Sequence, residues 1–154
     1  MEKHEELIGK IKEKFAQLKD GMEALFHHTN EFRKKYAKLT PEQKEKLKAQ
    51  YHKSVQKSKD LLRRLFDELH KLFVELKKHL HDMAIRVDNH MTNAMESHVA
   101  KKRGVRPSEM HSWASETHNK VLSAKEAMEL EKWEDAKKHM SDAYRSLNHR
   151  RNGI

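Results

Sequence analysis

His4, Ile8, Ile11, Phe15, Leu18, Met22, Leu25, Thr29, Phe32, Tyr36 and Leu39 follow one another in steps of four and three residues, in unbroken alternation. Nine of these eleven positions are apolar, and Glu, Lys, Gln and Asp fill the gaps between them. A period of 3.5 keeps one stripe of a helix facing a partner along its whole length. The spacing predicts a first helix over residues 3–38, interrupted only by Gly21. An isolated helix of this kind is poorly stable, so its stripe must be covered.

Thr40-Pro41-Glu42-Gln43 is the first strong punctuation. Thr40 suits an N-cap, Pro41 the first helical position, and Gln43 the closing member of a capping box. A second helix starting so soon after the first implies an antiparallel hairpin. Residues 42–103 contain neither Gly nor Pro. Their leucine pattern suggests a seam through Leu47, Tyr51, Ser54, Ser58, Leu61, Leu65, Leu69, Leu72, Leu76, Leu80 and Met83, then Val87, His90 and Ala94. Back-to-back four-residue steps make stutters in it. With Asp82, Asp88 and Asn89 as candidate caps, a break or kink is expected near residues 79–89. That gives a second helix over 41–80 and a third, or a continuation, over 82–103.

Gly104 suits the end of a helix, and Ser108 the cap of the next. Met110, Trp113, Thr117, Val121, Ala124 and Met128 predict a helix over 108–129. The phase then slips, and Trp133, Ala136, Met140, Ala143, Tyr144 and Leu147 predict another over 132–149. Residues 127–136, Ala-Met-Glu-Leu-Glu-Lys-Trp-Glu-Asp-Ala, resemble the helix–turn–helix joint of tetratricopeptide-type repeats. One copy without a 34-residue repeat implies only a turn near 130–132. The fold class is therefore all-α: an elongated antiparallel helical bundle with coiled-coil-like packing, four to five helices, in one domain over 1–154.

Composition agrees with slender helices. Apolar residues make up 36% and charged residues 37% of the 154, against a usual 45–50% and about a quarter. Cysteine is absent, which excludes disulfides and thiolate metal sites. The first residues are charged and no window approaches 18 apolar residues, so neither a signal peptide nor a membrane span is expected. A cytoplasmic location is the default.

The net charge of +9 changes the picture more, because it is uneven. Residues 1–80 hold 20 Lys and Arg against 13 Asp and Glu, whereas residues 108–154 hold eight of each. Arg33, Lys34, Lys35 and Lys38 close the first helix, and Lys44, Lys46 and Lys48 open the second. A hairpin brings all seven to one tip. Lys101, Lys102, Arg103 and Arg106 form a second cluster, and Arg145, Arg150 and Arg151 a third. Cations spaced along helix ends suit contact with phosphates. The leading functional expectation is a non-enzymatic binding or scaffolding protein that contacts nucleic acid or another polyanion. A protein–protein adaptor or assembly factor for an acidic partner is the alternative.

Histidine supplies another reading. Were the helices flanking Gly104 to pair, His90, His98, His111 and His118 would face one another as metal or haem ligands. The familiar di-iron spacing, Glu-x-x-His, does not occur among the Glu–His pairs, and no cofactor is implied by motif. No Gly-rich phosphate loop, nucleophile triad or paired carboxylates stand out. The two Arg-x-x-x-His runs, at Arg86–His90 and Arg145–His149, are too short for helical ribonucleases of the HEPN class. Finally, a thinly covered stripe on the first helix predicts self-association, as a dimer.

Overall fold

The computed structural model describes residues 3–90 and 107–148, with side chains over 3–86 and 109–148. Four helices make up the described chain: α1 (Lys3–Tyr36), α2 (Pro41–His90), α3 (Pro107–Glu129) and α4 (Trp133–Asn148). The fold is an all-α bundle, with α1 packed on α2, α2 on α3, and α3 on α4. At 1.5 Å per residue, the 50 residues of α2 run about 75 Å, which makes the bundle long.

The stripe on α1 is buried from His4 through Ile8, Ile11, Phe15, Leu18, Met22 and Leu25 to Thr29. Thr29 is tolerated there because its hydroxyl donates to the Leu25 carbonyl at 2.9 Å and accepts from the Tyr51 hydroxyl at 3.0 Å.

The buried face of α2 differs from the leucine seam. Val55, Lys59, Leu62, Phe66, Leu69, Phe73, Leu76 and Leu80 are the buried positions, and their steps alternate four and three without a stutter. Leu61 is 56% exposed. Leu61-Leu62, Leu65-Phe66 and Leu72-Phe73 are doublets, so either member fits an apolar stripe. The phenylalanine phase wins because an aromatic ring buries more area than leucine. Phe73 meets Phe15 edge-on at 6.4 Å, while Leu65 and Leu72 pack at the margin.

Of the break or kink expected near residues 79–89, the break does not occur, and α2 continues to His90 as in the alternative of one continuous helix. Leu76 and Leu80 are fully buried and Met83 packs beside them, so the core runs through the region, while Asp82 points to solvent instead of capping a helix. Residues 91–103 lie outside the described residues.

The turn after α3 falls at 130–132, where it was expected. Lys132 N–H donates to the Ala127 carbonyl at 2.9 Å and Glu131 N–H to the Met128 carbonyl at 3.0 Å, a Schellman ending. Glu131 takes the left-handed position with φ 57°. The α3–α4 hairpin packs through Ala114, Ala124, Ala127, Ala136 and Ala143, all buried. Small side chains let two helices approach closely. Trp113 Nε1 donates to the Ser146 carbonyl at 2.8 Å and locks the pair.

Candidate polyanion-binding surface

The hairpin tip is built by local rules. At the end of α1, the Lys38 N–H donates to the Lys35 carbonyl and the Leu39 N–H to the Tyr36 carbonyl, tightening the last turn. The reciprocal capping box then forms: Thr40 N–H donates to Gln43 Oε1 at 3.2 Å, and Gln43 N–H to Thr40 Oγ1 at 3.4 Å. Pro41 is the first residue of α2, where its missing N–H costs nothing.

This geometry brings Arg33, Lys34, Lys35, Lys38, Lys44, Lys46 and Lys48 to one end of the bundle. Six are exposed and Lys44 is half-buried. Three carboxylates, Glu31, Glu42 and Glu45, share the segment. Only Lys34 has one within reach among the described residues, Glu31 at 4.0 Å. An ion pair that long and exposed contributes little. Most of the cations are therefore left to solvent, which is the state a polyanion site requires.

Aromatic rings brace the tip. Tyr51 stacks on Phe32 at 3.9 Å and on His28 at 5.6 Å, Phe32 meets Tyr36 at 5.3 Å, and the Lys44 ammonium lies 5.1 Å above the Tyr36 ring. Tyr36 and Tyr51 thus tie α1 to α2 and hold the charges on a rigid end, rather than standing free to stack on bases. Lys101, Lys102, Arg103 and Arg106 lie outside the described side chains. Arg145, from the third cluster, lies on α4.

The four-histidine set is only partly visible. His98 is outside the described residues, and the His90 side chain is not described. Of the other two, His111 lies beside His81, ring centroids 6.2 Å apart. His118 stacks on Phe73 at 5.0 Å and shares a 2.9 Å hydrogen bond from its Nε2 to His70 Nδ1. His118 is buried, and its Nδ1 makes no hydrogen bond. The tautomer with the proton on Nε2 leaves an acceptor, not a donor, unsatisfied. Burial, reinforced by Lys77 and His70, pushes its pKa down to about 4. Burial, with His4, Lys3 and Arg86 nearby, also lowers His79. These rings act as neutral packing groups at pH 7. Among the described residues no group of three or more His, Asp or Glu is placed to hold a metal ion.

Two polar features, one in the core and one at its margin, escaped the sequence reading. Lys59 occupies a seam position and is 5% exposed, its ammonium 3.3 Å from the Glu129 carbonyl. Arg63, one turn on, holds the Glu129 carboxylate. The signal was the four–three alternation read from Phe66 and Phe73, which lands on Lys59.

Comparison with protein-family models, with curated proteins and with solved structures finds no match to this chain.

Proposed function

We propose that this protein is a non-enzymatic helical module that binds nucleic acid through the phosphate backbone, using the hairpin tip between α1 and α2. The supporting observation is the tip itself: seven cations on a braced end, with one carboxylate contact among the described residues, at 4.0 Å. No described helix is long and apolar enough to cross a membrane. Lys and Arg on a helix end recognise phosphate charge without reading bases. Binding of this type is indifferent to sequence and driven by counterion release.

The test is fluorescence anisotropy with labelled 20-residue oligonucleotides across a salt series. Each phosphate contact contributes about −0.9 to the slope of log K against log salt on duplex DNA. The triple variant Lys34→Ala, Lys35→Ala, Lys38→Ala is expected to flatten that slope by about 2 to 3. A slope unchanged by the variant rejects the tip as the site. Equal binding of polyglutamate points instead to an acidic protein partner.

A further inference from the structure

Helices α1 and α4 barely touch, and a cleft of about 390 Å³ runs between them. The opening accompanies the extensive packing of α4 on α3. Phe15, Met22 and Met140 form a buried apolar floor, with half-buried Phe26 and exposed Tyr144 as its walls. Lys19, Lys137 and Arg145 stand on the rim with a single acid, Glu23. None of these three cations has a carboxylate within 4 Å among the described residues, and Lys19 lies 5.8 Å over the Tyr144 ring.

We propose that this cleft binds one aliphatic carboxylate of the fatty-acid type, its chain on the floor and its head among the rim cations. Three observations select this occupant. The charge at the rim is complementary to an anion. The floor is a recess: Phe15 is 1%, Met22 4% and Met140 8% exposed, whereas a second protein copy needs a broad face of about 800 Å² per partner. The volume lies at the small end of the roughly 300–1,000 Å³ range of ligand sites, which suits one chain and not a two-tailed lipid. Flexible Met22 and Met140 side chains adapt to such a chain. The site uses no residue of the hairpin tip and stands independently of the nucleic-acid reading.

The experiment follows the methionine methyl signals of the full chain by NMR while dodecanoate is added below its micelle concentration. Saturable shifts of the Met22 and Met140 methyls are expected, with Met83 and Met110 unmoved. Dodecyltrimethylammonium, with the same tail and the opposite charge, is expected to bind at least about ten-fold more weakly. Lys137→Glu with Arg145→Glu is expected to weaken dodecanoate by a similar factor at an unchanged circular dichroism spectrum. Lys19→Glu, on the other wall, gives the same reading should the α4 variant unfold. Equal affinity for the two head groups, still Met22 and Met140 signals, or shifts spread over all methionines would each overturn the proposal.

Discussion

The Arg63 guanidinium holds the Glu129 carboxylate with two hydrogen bonds, Nε to Oε1 at 2.6 Å and Nη2 to Oε2 at 2.7 Å. A third bond, from Nη1 to Asp60 at 2.7 Å, fixes the guanidinium plane. This clamp ties the middle of α2 to the last turn of α3.

The paired guanidinium lowers the Glu129 pKa, against the opposing effect of burial, with Lys59 and Lys125 adding to the pull. Its contribution is present above the ordinary carboxylate value and is lost as pH falls through the folded one. Both side chains are about a third exposed, so solvent screens the pair. A double-mutant cycle with Arg63→Met and Glu129→Gln in urea should give a coupling of about 1 kcal/mol at pH 7. It should shrink as pH falls below the ordinary carboxylate value. A coupling that ignores pH contradicts the assignment.

Lys59 separates packing from charge. Its stem fills a seam position and its head meets the carbonyl end of α3. Lys59→Met keeps the stem and should cost no more than about 1 kcal/mol. Lys59→Ala should cost about 2 kcal/mol or more by leaving a cavity. Equal losses would mean that the ammonium, not the stem, matters.

His118 sets an acid limit on stability. Its folded pKa, about 4, lies below the ordinary histidine value, so the unfolded chain binds the extra proton. Stability from this group is complete above about pH 6.5 and falls as pH drops toward 4, by up to about 3 kcal/mol. His118→Phe keeps a ring on Phe73 and should flatten the urea midpoint between pH 6.5 and 5. A slope left intact by that change would assign it elsewhere.

Backbone strain gives a stabilising direction. Glu131 sits at φ 57°, where a Cβ is unfavourable, so Glu131→Gly should raise stability by about 1 kcal/mol. Gly9 has open space around an added Cβ, and Gly9→Ala should add about 0.5–1 kcal/mol. At Gly21 the same methyl would come within 2.8 Å of Leu62 Cδ2, so Gly21→Ala should gain less or lose. Thermal melts rank the three directly.

Much of this architecture was legible, for reasons that differ by element. On α1 the unbroken four–three alternation fixed the phase, because Ile11 and Leu18 stand between polar neighbours even though Leu7-Ile8 and Leu25-Phe26 are doublets. The Thr40–Gln43 box and the turn at 130–132 are local chemistry and read directly. On α2 the doublets left two phases open, and the leucines drew attention from the rings that pack better. Continuity past residue 80 depended on tertiary burial of Leu80 and Met83, which no local signal carries. The cationic tip was visible once the hairpin was assumed. The α1–α4 cleft was not, because it arises from how closely two other helices approach.

That uneven closure has a kinetic consequence. Of the described helices, α4 is the shortest, and it is fastened mainly along its α3 flank. Its amides should be the first to trade hydrogen for deuterium in water, well before those of α1 or the middle of α2. The bundle therefore has a preferred direction of opening, like a book bound along one margin.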